Sequence, residues 1–242
     1  MIYAASTHIG RRPRNEDSLL VPDAGAPPLA AVADGMGGHA AGQRASSLAV
    51  EELKAAFSDA AQDDLLRSLR LAINAANHSV YMHAETEPGC RGMGTTLVLA
   101  LALPREYIAA NIGDSRLYCL REGVLTQITE DHSLVNMMVA SGVITREEAA
   151  RHPQRNIITR ALGTSAYEEA DYFRRPWNEG DLLLLCSDGL HGALTDEQIA
   201  EELLLTRPLQ ETADALVRRA LEEGGTDNVT VVLVRNTGGD AA

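Results

Sequence analysis

The sequence predicts an α+β fold, and three observations predict it. Short apolar runs bounded by Gly, Pro or Asp are too brief for helices and mark strands. Two pairs of longer stretches carry helical composition or periodicity. The links between the central runs are tight turns, which join antiparallel neighbours. In order, Leu29 to Ala33 is a strand, and Gln43 to Phe57 has helix-forming composition. Asp63 to Ala84 sets Leu66, Leu69, Ile73, Ala76 and Val80 three and four residues apart, an apolar stripe along one helical face. Thr95 to Leu103, Tyr107 to Ile112 and Arg116 to Arg121 form a meander that turns at Pro104-Arg105-Glu106 and at Glu122-Gly123. Ser133 to Gly163 interrupts this pattern with a polar, partly helical stretch that has no evident sheet partner, and is expected to be a mobile surface flap. Asp181 to Cys186 is a further strand. Thr195 to Gln198 has the capping-box pattern of a helix start, Pro208 opens another helix that stops at Gly224-Gly225, and Val229 to Val234 is the last strand.

A length of 242 residues and a hydrophobic fraction of 45% suit one domain, residues 1–236 with the flap at about 133–163, followed by a flexible C-terminal tail, 237–242. With 21 basic residues against 34 acidic ones the net charge is -13, which repels a nucleic-acid backbone. The opening residues lack the basic and apolar regions of a signal peptide. Nowhere do about 18 apolar residues run together, so the expected location is cytoplasmic, with no membrane contact. Cys90, Cys119 and Cys186 are odd in number and far apart, which argues against a disulfide framework or a zinc cluster.

The informative regularity is where the apolar runs stop. One ends at Asp34, one at Asp114 and one at Asp188, and the last strand begins just after Asp227. Because antiparallel neighbours set the start of one strand beside the end of another, the four carboxylates are expected to meet at one sheet edge. Four such charges in a cleft repel unless cations lie between them, and an all-oxygen set suits Mg2+ or Mn2+ better than zinc. The plainer alternative is that Asp-Gly pairs serve as turn residues. Aspartates after three apolar runs and before a fourth together favour a metal centre.

The motifs that carry these residues resemble the metal-dependent protein phosphatase family, the type 2C class in its bacterial form. They are GRRPRNED at Gly10 to Asp17, VADGMGGHAAG at Val32 to Gly42, GMGTTLV at Gly92 to Val98 and NIGDSRLY at Asn111 to Tyr118. DHSLV at Asp131 to Val135, HPQRNIITRALG at His152 to Gly163, LCSDGL at Leu185 to Leu190 and GTDNVTVVLV at Gly225 to Val234 follow. The resemblance implies a four-layer αββα sandwich, two central antiparallel sheets flanked by helix pairs. It implies a protein serine/threonine phosphatase that hydrolyses phosphoserine and phosphothreonine by metal-activated water attack on phosphorus. By position in the motifs, Asp34 would bridge two central Mn2+ or Mg2+ ions, the Gly35 carbonyl would ligate one, and Asp188 with Asp227 would complete the other. Asp114 matches a ligand of a third ion, and Glu16 and Asp17 match acidic positions that orient bound water. The implied partners are phosphoprotein substrates, including a serine/threonine kinase, with the chain a monomer in signalling.

Such a reaction needs a nucleophile, neutralised phosphoryl oxygens and a proton for the departing alkoxide. A guanidinium fork fits phosphate oxygens, and by its place before Asn15-Glu16-Asp17 Arg12 resembles the family's phosphate-binding arginine, with Arg11 and Arg14 as alternatives. Many eukaryotic relatives carry histidine two residues after the first metal aspartate, where this chain has Met36. His39 is a candidate for that vacant role, and His132 is expected to make a structural hydrogen bond. Two other function classes are consistent with parts of the sequence. A docking module that has lost turnover is disfavoured by the intact acidic positions, and a metal nuclease by the acidic charge and missing basic stripe.

Overall fold

In a computed structural model, residues 1–37, 41–59 and 64–238 are described, and the following concerns those residues. The chain runs through β1 (Ile2–His8), β2 (Asp17–Leu20), β3 (Leu29–Met36), α1 (Ala41–Asp59), α2 (Leu65–Thr86), β4 (Gly94–Thr95), β5 (Leu97–Ala102) and β6 (Glu106–Ile112). Next come β7 (Arg116–Arg121), β8 (Val124–Gln127), α3 (Leu134–Ala140), α4 (Arg146–Ala150), β9 (Asp171–Pro176) and β10 (Leu182–Cys186). It ends with α5 (Asp188–His191), α6 (Asp196–Leu204), α7 (Leu209–Glu222) and β11 (Val229–Arg235).

Two antiparallel sheets stack face to face. One has the order β1-β11-β10-β7-β8, the other β2-β3-β5-β6-β9 with β4 attached to β3. Strands β5, β10 and β11 are buried on both faces, which is why they read as continuous apolar runs rather than alternating ones. Three apolar cores lie between the four layers of elements. α1 and α2 cover the second sheet through Leu53, Phe57, Leu69 and Ile73, and α6 and α7 cover the first through Ile199, Leu203 and Leu216. Between the sheets, Val32, Val98, Leu117, Leu185 and Val232 interdigitate. The architecture is the expected α+β, αββα sandwich.

Local signals set the ends of the elements. Thr195 and Gln198 make both bonds of a capping box on α6, and a second box, Thr145 with Glu148, opens α4. Glu122 and Gly123 both take left-handed backbone angles, the geometry that a two-residue hairpin between β7 and β8 requires. Four strands were not legible in the sequence: β1, β2, β8 and β9. They are the four edges of the two sheets. The single run expected over Thr95 to Leu103 is divided at Thr96, whose hydroxyl accepts the Asp34 amide at 2.9 Å, so β4 and β5 pair with different parts of β3. The stretch 133–163 holds α3 and α4, closes on itself through a bridge between Ser133 and Ile158, and meets the sheet at its end where Leu162 lies opposite Thr95 of β4. Thr237 and Gly238 of the expected tail are described and 239–242 lie outside the described residues, as does His39.

Leu185→Ala, in the closed layer between the sheets, should lower the unfolding free energy by roughly 2–5 kcal/mol. Val124→Ala, on an exposed edge strand, should stay within about 0.5 kcal/mol. Urea unfolding of the two variants checks that ordering.

Candidate metal centre

Two antiparallel neighbours, β10 and β11, place Asp188 after one strand beside Asp227 before the other. The stacked sheet brings Asp34 near the end of β3, and the turn after β6 brings Asp114. The expected meeting at one sheet edge is therefore corrected. Each sheet contributes two carboxylates, and they gather at one end of the sandwich, because strands of both sheets finish there. Asp17, paired in register with Asp34 across β2 and β3, joins them.

Glycines make this convergence possible, and mostly not as turn residues. Gly35 lies inside β3, where an added Cβ would come within 2.0 Å of the Gly42 carbonyl oxygen, and Gly189 lies in α5, where it would come within 1.9 Å of that of Asn228. Both are places where backbones touch. Gly113, with φ of 103°, serves the turn conformation that sends Asp114 back toward the cluster, and Gly10, with φ of 62°, combines a turn in the Arg12 loop with close approach to the Asp227 carbonyl.

Hydroxyl and amide groups then fix the aspartates. Ser187 donates to Asp17 Oδ2 at 2.8 Å while its own hydroxyl accepts the Thr230 amide, and the Thr95 hydroxyl donates to the Asp34 carbonyl at 2.9 Å. Asn228 clamps the arginine-bearing loop. Its Oδ1 accepts the Glu16 amide at 2.8 Å, and its Nδ2 donates to the carbonyls of Ile9 and Arg14. Ser187, Thr95, Thr96 and Asn228 were missed in the sequence, although each adjoins or lies within a quoted motif. Their hydroxyl and amide groups carry no pattern of their own.

Burial pushes these carboxyls upward, and their neighbours' charges push further. Asp34 stands well above the usual carboxylate range, raised first by desolvation and then by Asp17, Asp188, Asp114 and Asp227. Asp17 and Asp114 are lifted to about 7 and Asp188 to about 6, in each case chiefly by desolvation. Asp188 Oδ1 and Asp17 Oδ1 are buried and have no hydrogen-bond partner. As they stand, no three of these side chains among the described residues close a coordination shell. Asp188 shares a hydrogen bond with Asp34, and Asp227 is held by the Arg12 guanidinium at 2.6 Å. The orphaned oxygens decide the fit more directly than that spacing, since a buried lone acceptor calls for a cation or a proton. The all-oxygen set suits a hard divalent ion.

Arg12 is the arginine of its loop that reaches the cluster. Its side chain is 56% exposed, and its bond to Asp227 leaves its other donors without a hydrogen bond among the described residues. Glu16, raised chiefly by desolvation, packs its carboxyl against Gly42 in the field of Arg12 and Asp227. Met36 lies over Gly94. His132 accepts the Gly113 amide at 3.0 Å and faces Asp171, the structural role expected of it.

The family profile described as Protein phosphatase 2C matches residues 5–232. The chain belongs to the protein phosphatase 2C family. It is 43% identical over 211 residues to the serine/threonine phosphatase stp of Listeria monocytogenes, spanning 86% of this chain and 84% of that one. The crystal structure of the Mycobacterium tuberculosis serine/threonine phosphatase PstP/Ppp superposes with a TM-score of 0.90 at 45% identity, covering 98% of both chains. The catalytic domain of PstP in complex with two manganese ions superposes at 0.85 with 44% identity and 96% coverage of each. Against the whole M. tuberculosis PstP, this phosphatase 2C chain spans 44% of the length.

In EDTA, stability should fall as pH rises from about 4 to about 7. Over that window the folded state retains protons on Asp17, Asp34, Asp114 and Asp188 that the unfolded chain has released, so the stabilisation present below pH 4 is lost on passing the raised values. The buried neutral His191, lowered to about 3 chiefly by desolvation, works in the opposite direction, but it is one group against four. Thermal melts at pH 5 and pH 7.5 read the sign, and Asp17→Asn should flatten the slope.

Proposed function

We propose that this chain is a metal-dependent protein serine/threonine phosphatase that hydrolyses phosphoserine and phosphothreonine. The observation that carries this is the buried aspartate cluster with orphaned oxygens beside a solvent-facing guanidinium. The family membership and the relatives named serine/threonine phosphatases support it. Asp34, in the field of Asp17, Asp188, Asp114 and Asp227, would bridge two central Mn2+ or Mg2+ ions. The Gly35 carbonyl would hold one, Asp188 and Asp227 the other, and Asp114 a third. When bound, these ions supply charge neutralisation for the phosphoryl oxygens and lower the pKa of a water nucleophile.

The chain's own residues do the positioning. Arg12 grips the phosphate through the donors it does not spend on Asp227, and the Asp227 carboxylate aims that fork. Asp17 and Glu16 stand behind the ligands, and Ser187 holds Asp17 in place. Met36 has no proton to give, His132 is committed to Gly113 and His39 lies outside the described residues, so no described side chain is assigned to protonate the departing alkoxide. Residues 1–236 act as one catalytic domain in which the segment 133–163 is a flap that biases substrate choice. The charge of its Arg155 reaches Asp188 and offsets a small part of the rise that burial gives that carboxyl. Its partners are phosphoproteins, a serine/threonine kinase among them, and the protein acts as a cytoplasmic monomer. Among the described residues no helix is long and apolar enough to cross a membrane.

Phosphate release from a phosphothreonine peptide tests the proposal. Mn2+ or Mg2+ should support turnover, EDTA should abolish it, and duplex DNA should not be cut. Asp34→Asn should lower kcat by roughly a thousandfold or more. Arg12→Ala should raise KM about 10- to 100-fold with a smaller change in kcat. Metal-independent turnover, or normal kcat in Asp34→Asn, would remove the basis for the assignment.

A further inference from the structure

At the end of the sandwich opposite the carboxylates, a groove of about 630 Å³ opens between the β5–β6 turn and the end of β9. It is lined by three arginines, Arg105, Arg174 and Arg175, over an apolar floor that includes Leu103, Pro104 and Pro176. The one acidic residue in its wall, Glu106, is taken up by Arg174 through two bonds of 2.7 and 2.6 Å. Arg175 donates only to the Arg174 carbonyl, at 3.2 Å, and the Arg105 guanidinium has no partner among the described residues. Two cationic heads thus face solvent in a hollow on a chain of net charge -13.

The walls are fixed rather than incidental. Trp177, almost wholly buried edge-on to Tyr107, donates its indole N–H to the Leu103 carbonyl at 2.7 Å and its amide to that of Arg105 at 3.2 Å, tying the two sides together. Arg121 holds the Pro176 carbonyl at 2.8 Å. Charged residues and proline on an edge strand such as β9 would by themselves guard it against pairing. That does not account for Arg105, which enters the same hollow from a different turn.

We propose that this groove docks an acidic segment of the phosphoprotein substrate, its carboxylates on Arg105 and Arg175 and its chain across the two prolines. The inference rests on the phosphatase reading above. Strand β6 and the turn beyond it run from Glu106 at the groove to Asp114 at the cluster, about 25 Å at strand rise. The acidic segment therefore lies about eight or more extended residues from the phosphorylated one.

Three phosphothreonine peptides test it: a short one, one joined through a ten-residue Gly/Ser spacer to five glutamates, and one with glutamines in their place, each extension made on either side. The glutamate block, on one side, should lower KM roughly fivefold relative to glutamine, an advantage that shrinks with salt. Arg105→Ala/Arg175→Ala should reduce that advantage to within about twofold while leaving hydrolysis of the short peptide unchanged, which also shows that the variant is folded. Equal KM for glutamate and glutamine extensions, or an advantage kept by the variant, overturns the groove assignment and leaves the phosphatase reading intact. If the short peptide is not hydrolysed, the phosphatase reading fails instead. The groove is then judged by anisotropy of a labelled glutamate-rich peptide, whose binding must be present in the native chain and lost in the double variant.

Discussion

The mutual repulsion of carboxylates taken out of water is the constraint on which the rest of this structure depends. Asp17, Asp34, Asp114 and Asp188 are buried at the abutting ends of two sheets, and loss of water first, with the charge of neighbouring carboxylates second, raises their affinity for protons or cations. A sandwich without function would place apolar side chains there. Here the acidic set persists because the surrounding chain fixes it from several directions at once.

Those directions are backbone contacts and short hydrogen bonds rather than apolar packing. Gly35 against Gly42 and Gly189 against Asn228 bring loops from distant parts of the sequence closer than any side chain would allow. Ser187 ties one sheet's strand end to Asp17 of the other. Asn228 ties the arginine loop to the start of β11, and the Arg12 guanidinium meets Asp227 there. The two sheets supply rigidity, and the layer between them keeps their ends in register. Chemistry is thereby placed at strand ends, where the backbone is anchored.

How much of this the sequence disclosed follows from burial. Central strands such as β5, β10 and β11 are apolar on both faces and stand out, as does the stripe on α2. β1, β2, β8 and β9 are edges, partly solvated and mixed in composition, so Ile2–His8 and Asp171–Pro176 carry no clean period. Within the site, Asp34, Asp114, Asp188 and Asp227 were legible because each interrupts or precedes an apolar run. Their meeting place was misread, since pairing within a sheet follows from connection lengths but the stacking of one sheet's end on another does not. The backbone contacts at Gly35 and Gly189 were not legible for the same reason, as a close approach between distant backbones leaves no local trace.

The most direct measurement is the number of protons released when Mn2+ binds to EDTA-stripped protein at pH 6.5, obtained by titration calorimetry in two buffers of different ionisation enthalpy. If the crowded carboxyls hold protons that a cation must displace, about one or more should leave per protein on binding. Binding with no proton release would contradict the account, because it would mean that the aspartates are already ionised and that their burial together is not what the metal relieves.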